Sequence, residues 1–293
     1  MFWVISAIPV PAKAQDAPTS SEQATRSPDP YHELETKYIF GFTEGADIGE
    51  EGERAIDLET TTGFRKRGGR YNMVEQELEW EQIPSQYWGY ELSAHFAHFD
   101  VKGVEGLDDV NRFDFNGLSS EFRYLVIGRG PGAPVGLTLT ATPEWGRIDD
   151  GGHSVIDFST AFKVVADTEV IPNRLYMAGN LIYVPDVAKS PGGNWQPSST
   201  FGATGALAFR FAPKITAGGE IEYYRVSDGL DFHAFQGQAL YLGPILHIQW
   251  SNKIMLAAAF SSEIAGRATG DDRNLDLTNF SRYRANLKME FEF

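Results

Sequence analysis

The sequence ends in YRANLKMEFEF, residues 283–293, and two kinds of side chain alternate along this stretch. Apolar and aromatic residues occupy the odd positions from Tyr283 to Phe293, and polar or charged residues occupy the even positions from Arg284 to Glu292. Successive side chains of a β-strand point to opposite faces. The stretch therefore predicts a strand with one apolar face and one charged face, and an aromatic residue occupies its last position.

Similar alternating segments recur through the preceding chain. Most of them are ten to sixteen residues long, whereas strands of globular proteins average about five or six residues. A strand of the greater length can cross the apolar part of a bilayer at a tilt. We count about twelve segments, at roughly 54–64, 70–82, 86–99, 112–127, 135–149, 153–167, 171–184, 199–212, 214–226, 237–250, 253–265 and 280–293.

The connections between these segments alternate in length. Every second connection is short, such as 83–85 or 251–252, and several of the others are longer, such as 185–198 and 266–279. Membrane barrels have this asymmetry, because short turns collect at one end and long loops at the other. The sequence thus predicts an all-β fold, a closed antiparallel transmembrane β-barrel of about 12 strands.

Composition limits the classes of function. The sequence has no cysteine, which excludes disulfides and thiolate metal sites. Its formal net charge of −15 argues against nucleic acid as a partner, because no basic surface would meet the phosphates. No run of eighteen apolar residues is present, so the sequence predicts no membrane-spanning helix. Strands remain possible, since they use only every second residue for the lipid face.

The C-terminal stretch resembles the last strand of Gram-negative outer-membrane β-barrels, which typically ends in phenylalanine and is read by the assembly machinery. Asn286, Phe291 and Phe293 match the polar and aromatic positions of that family's pattern, and Lys288 stands where the family has glycine. The resemblance implies a porin-like architecture in the bacterial outer membrane. It also implies three kinds of partner: outer-membrane lipid and lipopolysaccharide, the assembly machinery, and small polar solutes.

The residues before the barrel divide into three parts. Residues 1–14 contain an apolar core and end in the cleavage-like tripeptide AKA, which predicts a signal peptide. Residues 15–36 are mostly polar and predict a disordered N-terminus. Residues 37–52 begin apolar and become acidic and glycine-rich, so we predict a periplasmic plug or loop there, followed by the outer-membrane β-barrel at 53–293.

Charged side chains mark the strand face that would line the lumen. One set lies on the first three strands and forms an acidic wall, and a second set lies on later strands and forms a basic wall opposite it. The acidic wall is Asp57, Glu59, Glu75, Glu77, Glu79, Glu81 and Glu91, and the basic wall is Lys163, Arg174, Arg210, Arg284 and Lys288. Such a lumen predicts a transverse field and a preference for cations.

These patterns predict an outer-membrane channel for passive or facilitated passage of small polar solutes, cationic or zwitterionic, with no cofactor and no metal site. Two alternatives stay open. A sealed structural or adhesive barrel would act through outer loops such as 185–198 and 266–279. An outer-membrane hydrolase would need a His-x-Ser pair on a strand or acidic pairs at the rim. Neither His95, His153-Ser154 nor Asp149-Asp150 supplies these patterns, so we predict no enzyme.

Overall fold

The computed structural model describes residues 34–130 and 132–293. The predicted signal peptide at 1–14 and most of the predicted disordered segment at 15–36 therefore lie outside the described residues. Twelve strands follow one another along the described chain. They are β1 (Arg54–Phe64), β2 (Gly68–Ser85), β3 (Trp88–Val104), β4 (Val110–Ile127), β5 (Val135–Ile148), β6 (Ser154–Ile171), β7 (Leu175–Lys189), β8 (Gln196–Ala212), β9 (Ile215–Asp228), β10 (Ala234–Ser251), β11 (Ile254–Ala268) and β12 (Tyr283–Glu292).

The strands form a closed barrel. Each strand pairs antiparallel with its neighbours in sequence, and β12 pairs with β1 in a register that runs from Ala55 opposite Glu292 to Phe64 opposite Tyr283. Closure leaves no unpaired sheet edge, which the interior of a bilayer would not tolerate. The predicted fold class, a closed antiparallel barrel of 12 strands, is confirmed. The described residues include no helix that is long and apolar enough to cross a membrane.

The outer surface of the barrel is apolar. Leu78 on β2 and Phe122 on β4 are both 51% exposed, whereas their sequence neighbours Glu79 and Glu121 are buried in the lumen. A soluble barrel has the opposite arrangement, with apolar side chains inside. An apolar outside around a polar inside suits a bilayer, because lipid cannot hydrate charged groups. The predicted architecture of a membrane-spanning β-barrel is thereby confirmed.

The two ends of the barrel differ. At the end that we call the short-turn end, β1 begins, β12 ends, and four of the connections have only two or three residues: 86–87, 172–174, 213–214 and 252–253. At the opposite end, which we call the loop end, the longest connection is 269–282, between β11 and β12. Some predicted loops are shorter than expected because the strands extend into them. The predicted loop 185–198, for example, is reduced to 190–195.

An apolar cluster lies inside the barrel at the loop end, which the sequence analysis did not foresee. The β5–β6 turn covers it, because a Cβ atom added at Gly152 would lie 3.1 Å from the Cβ of Phe99. These contacts fill the lumen beside β2 to β5 and narrow the loop end. The cluster comprises Tyr71, Ala97, Phe99, Val101, Val104 and Ile148.

Candidate functional site

The segment before β1 lies inside the lumen. We call residues 34–53 the plug segment. It contains the residues 37–52 that were predicted as a plug or loop, together with residues 34–36, which were assigned to the disordered segment from the sequence. Thr36, Lys37 and Phe40 are each at most 1% exposed. The segment turns back on itself, and the amide of Gly45 donates to the carbonyl of Lys37 at 3.3 Å.

Two charged residues fix the plug segment to the wall. Lys37 Nζ lies 2.5 Å from a carboxylate oxygen of Glu91 on β3 and also contacts Glu81 on β2. Glu44, which has the opposite charge, pairs with Arg123 on β4 at 2.7 Å. A buried ion pair adds little stability relative to an apolar contact, but removal of one partner leaves an uncompensated buried charge. These pairs therefore determine where the segment docks.

The wall also supplies hydrogen-bond partners for the plug backbone, which belongs to no sheet. The amides of Phe42 and Thr43 donate to one carboxylate oxygen of Glu220, at 2.9 and 3.1 Å. The side chain of Asn180 bonds both the amide and the carbonyl of Glu44, at 2.8 and 2.9 Å. Buried backbone groups require such partners. The lumen side chains of β7 and β9 thus lie where the backbone of the plug segment requires hydrogen-bond partners.

A further anchor lies near the β4–β5 connection. Asp167 on β6 accepts hydrogen bonds from the amide of Ala46, at 3.0 Å, and from the hydroxyl of Thr36. Arg129 bridges the segment and the wall, because its guanidinium lies 3.0 Å from Asp47 and 2.7 Å from Asp167. Thr36, Ala46 and Asp47 of the plug segment are therefore bound at β6 and the β4–β5 connection.

Apolar contacts complete the docking. Ile39 and Phe40 pack in a cluster with side chains from β7, β8, β10 and β11. At Gly41 the approach leaves no room for a side chain, because an added Cβ would lie 2.2 Å from Glu220 Oε1 and 2.4 Å from the Cβ of Ala259. Together with bonds from β1, β5 and β12, these contacts reach every strand of the barrel.

The residues of the predicted acidic wall lie side by side in the lumen, on β1, β2 and β3. A cation from β12 lies among them: Lys288 Nζ is 3.3 Å from Glu79 and 3.4 Å from Glu59. Asn286, also on β12, donates a hydrogen bond to Glu59 at 2.5 Å. Because β12 is the neighbour of β1 in the closed barrel, its polar residues partly neutralise the acidic strands rather than face them.

The residues of the predicted basic wall do not form one surface. Arg284 on β12 pairs with Glu222 at 3.0 Å. Arg174 and Arg210 lie at the short-turn end, where Arg174 donates to the carbonyl of Arg210 at 3.3 Å. Lys163 lies deeper in the lumen and contacts the plug segment. Positive and negative side chains are therefore interleaved, which differs from the two opposing walls that were expected.

Further acidic residues line the lumen outside the predicted wall. The alternation along each strand also places these residues on the lumen face, but they were not predicted as part of the wall, because none of their strands has a run of four acids like that of β2. As a result, carboxylates outnumber ammonium and guanidinium groups on the described lumen face. The additional residues are Glu121, Glu144, Asp167, Glu220, Glu222, Glu263 and Glu290.

The plug segment lies between two cavities. The cavity toward the loop end has a volume of about 270 Å³ and is lined by acidic side chains of β1 to β3 together with Lys37, Tyr38 and Glu44 of the plug segment. The cavity toward the short-turn end has a volume of about 320 Å³ and is lined by Leu34, Glu35 and Tyr38 together with side chains of β8, β10, β11 and β12. Solutes that cross the lumen would have to pass the segment.

One cluster in the loop-side cavity has the geometry of a nucleophile and its base. Ser119 Oγ lies 2.9 Å from His95 Nε2, and Glu75 Oε1 lies 3.2 Å from His95 Nδ1. A serine hydrolase requires these contacts and a neutral imidazole that can accept the serine proton. A second carboxylate, that of Glu77, lies 3.5 Å from the imidazole. Glu77 and Ser119 therefore share the same imidazole nitrogen, Nε2, so the cluster lacks the exclusive contact between nucleophile and base that a serine hydrolase has.

The other histidine considered at the sequence level, His153, lies in the β5–β6 turn at the loop end. Its imidazole contacts Asp149 at 3.4 Å and Asp108 at 3.6 Å. The neighbouring Ser154 accepts a hydrogen bond from Arg112 at 2.8 Å. His153 and Ser154 thus contact different residues, and these contacts do not join them as a nucleophile and its base.

The β11–β12 connection folds over the mouth of the barrel. The amide of Asp276, which is fully buried, donates to Glu263 inside the lumen at 2.6 Å. Arg67 reaches it from the β1–β2 turn and lies 3.2 Å from Asp271. Hydrogen bonds from Arg273 lower the pKa of Asp271 to about 2. The longest loop is therefore tied to the rim.

Comparison with solved structures shows the same fold. The COG4313 outer membrane channel from Pseudomonas putida F1 superposes with a TM-score of 0.58 at 10% identity, over 85% of this chain and 98% of that chain. The translocator domain of autotransporter NalP from Neisseria meningitidis gives 0.52 at 12% identity, over 85% and 91%. The NanC porin gives 0.50 at 11% identity, over 80% and 98%. Identities this low establish a shared fold alone.

Sequence comparison identifies the family. No curated protein matches this chain. The family model described as "Family of unknown function (DUF6662)" matches residues 32–293, a span that includes the plug segment and all twelve strands. The chain therefore belongs to the DUF6662 family.

Proposed function

We propose that the protein is an outer-membrane channel for passive or facilitated passage of small polar solutes, and that the plug segment closes it in this conformation. One observation carries the proposal: the segment contacts every strand yet is not part of the sheet. Its withdrawal would leave the barrel wall intact and a lumen lined by charged side chains. A barrel with a permanently sealed lumen could be filled by side chains of its own strands and would not need a segment outside the sheet.

The charge of the lumen supports a preference for cationic or zwitterionic solutes. Lys288, Arg284 and Lys163 are each engaged by carboxylates, and further carboxylates remain beyond these pairs. When the plug segment leaves, Lys37 leaves with it and exposes Glu81 and Glu91. An excess of negative charge around a narrow aqueous path attracts cations and repels anions.

The expected setting is the outer membrane of a Gram-negative bacterium. The apolar outer surface would contact outer-membrane lipid and lipopolysaccharide, and the signal peptide predicted at 1–14 would direct export. Phe291 and Phe293 point outward at the short-turn end, 40% and 62% exposed, while Asn286 faces the lumen. We propose that these three residues act as the assembly signal. The solved channel and porin with this fold support a role in passage at the level of architecture.

Deletion of residues 37–52 tests the proposal. Full-length protein refolded into a planar bilayer should be closed for most of the time, and the deletion variant should conduct in discrete steps. In the deletion variant, Glu75→Gln, Glu77→Gln and Glu79→Gln together should lower the cation preference measured from the reversal potential in a salt gradient. Glu105→Gln is the matched control, because this carboxylate lies at the exposed loop end and pairs with Arg273.

A deletion variant that inserts but stays silent would contradict the channel. The structural or adhesive alternative would then be favoured, with function in the loop-end connections 190–195 and 269–282. We also propose that the protein is not an enzyme. Ester or peptide cleavage that is lost in His95→Ala or His153→Ala would overturn that view.

A further inference from the structure

Three carboxylates meet where β12, β1 and β2 adjoin, on the short-turn side of the plug segment. One oxygen each from Asp57, Glu81 and Glu290 lies within 4.8 Å of the other two. The three residues are 0%, 3% and 6% exposed. Three negative charges this close repel one another strongly where little water screens them. The cluster needs a compensating charge.

The two nearby ammonium groups supply only part of it. Lys37 Nζ contacts Glu81 but is shared with Glu91 at 2.5 Å. Lys288 Nζ is 3.8 Å from Asp57 and lies nearer to two other carboxylates. Two ammonium groups thus serve six carboxylates, which are Asp57, Glu59, Glu79, Glu81, Glu91 and Glu290.

Glu290 is the residue that points to a ligand. Its carboxylate is directed at Asp57 and Glu81, yet within residues 34–130 and 132–293 it makes no hydrogen bond and no ion pair. Asp57 Oδ1 is likewise buried without a hydrogen-bond partner in the described chain. Buried polar groups in native proteins nearly always have partners. The buried oxygen of Asp57 and the carboxylate of Glu290, neither of which has a hydrogen-bond partner in the described chain, therefore point to a bound group of positive charge.

A neighbouring cluster shows the contrast. Glu59, Glu77 and Glu79 also bring oxygens within 4.8 Å of one another. Each of them contacts a protein side chain: Glu59 and Glu79 share Lys288, and Glu77 lies 3.5 Å from His95. Unlike Glu290, every member of this second cluster has an ionic partner in the described chain, so it serves as an internal control for the first.

We propose that Asp57, Glu81 and Glu290 bind a hard divalent cation of the Ca²⁺ type. Carboxylate oxygens bind Ca²⁺ at about 2.3–2.6 Å, so two of them on one ion can be at most roughly 5 Å apart, and irregular geometry with added water is accepted. Mg²⁺ requires a smaller, near-octahedral arrangement. The cavity of about 320 Å³ at the short-turn end, lined by Glu290 and Glu292, gives the ion an access route. The sequence analysis predicted no metal site, and the inference stands whether or not the barrel conducts.

Tb³⁺ luminescence tests the site directly, because Tb³⁺ replaces Ca²⁺ and is sensitised by a nearby tyrosine. The hydroxyl of Tyr38 lies 3.4 Å from Asp57 Oδ2. Chelator-treated, refolded protein should bind Tb³⁺ with tyrosine-excited emission that Ca²⁺ displaces. Glu290→Gln should weaken Tb³⁺ binding by about tenfold or more, since one of three carboxylate ligands is lost. Glu77→Gln, in the second cluster, should leave this emission unchanged.

Thermal unfolding gives a second readout that a misfolded variant could not mimic. Ca²⁺ should raise the midpoint of the wild-type protein relative to chelator, because it binds the folded state. Glu290→Gln should lose this increment while being at least as stable as wild type in chelator, because it removes one of three repelling charges. Absence of Tb³⁺ binding to wild type, or equal binding to Glu290→Gln, would overturn the proposal.

Discussion

Gly41 lies where the plug segment passes between β9 and β11. Any side chain there would meet Glu220 and Ala259 at less than 3 Å. Gly41→Val should therefore displace the segment, at an overpacking cost of about 1–3 kcal/mol. We expect a higher open probability in bilayers and faster protease cleavage within residues 34–53. Gly130→Val is the control, since nothing lies within 4 Å of a Cβ atom at that position. Equal behaviour of the two variants would show that the docking at Gly41 is not tight.

Lys37 tests whether charge holds the segment in place. Lys37→Met leaves Glu81 and Glu91 buried without their ammonium group, at a cost of about 3–5 kcal/mol. The thermal midpoint, followed by circular dichroism in chelator, should fall. Glu81→Gln and Glu91→Gln added to Lys37→Met should restore most of the loss, because no unpaired charge then remains. Simple addition of the separate losses would mean that these residues do not act as a unit.

The contacts of individual residues were the part of the site that was hardest to predict from the sequence. The alternation along each strand places Asp57, Glu77 and Glu91 on the lumen face, where the structure has them. It does not reveal that Lys288 lies among them, since this contact depends on the pairing of β12 with β1. Nor does it reveal Lys37, whose backbone has no strand periodicity to fix its direction.

At the scale of elements, β12 has two roles that can be separated. It closes the barrel through ladder bonds, and we predict that its outward aromatics form the assembly signal. Phe291→Ser with Phe293→Ser should lower the amount of folded barrel in cells while leaving refolding from denaturant into detergent nearly unchanged. Leu287→Ser, on the same outward face, is the control for lost apolar surface. Equal losses in cells for both variants would remove the assembly role.

The strands were more predictable than the plug segment for a physical reason. A strand with lipid on one side and polar lumen on the other must alternate at every residue, so the period appears in the sequence. The plug segment lies between two cavities and contacts side chains of the wall in several directions, without pairing in the sheet. Its residues are therefore selected by individual contacts, such as those of Glu44 with Arg123 and Asn180. Composition alone indicated its existence, and its depth in the lumen could not be predicted.

At the scale of the whole molecule, the barrel is a ring of strands around a plug segment that is not part of the sheet. The wall needs no partner for its backbone, because all twelve strands pair in a ring. The plug segment is held by ion pairs, side-chain hydrogen bonds and one apolar cluster, all of which can be exchanged for water or for a solute. Length and alternation were enough to predict the ring. The apolar cluster at the loop end was not predicted. The polar residues of β3 identified its lumen face, and the apolar side chains of Phe99 and Val101, which continue that face, were not expected to fill the lumen.

The most direct test of the account is the conductance of a variant in which the plug segment can be locked. A Cβ atom at Gly136 would lie 3.0 Å from that of Ala46 and 2.7 Å from Asp167 Oδ1. The spacing in disulfides is about 3.5–4.5 Å, so the two positions must separate by roughly 0.5 Å or more for the bond to form. The sequence has no other cysteine. Single channels of Ala46→Cys/Gly136→Cys should be silent when oxidised and should open with cation preference after reduction, whereas reductant should not affect Ala46→Cys alone. Equal conductance in the two redox states would contradict a channel closed by its plug.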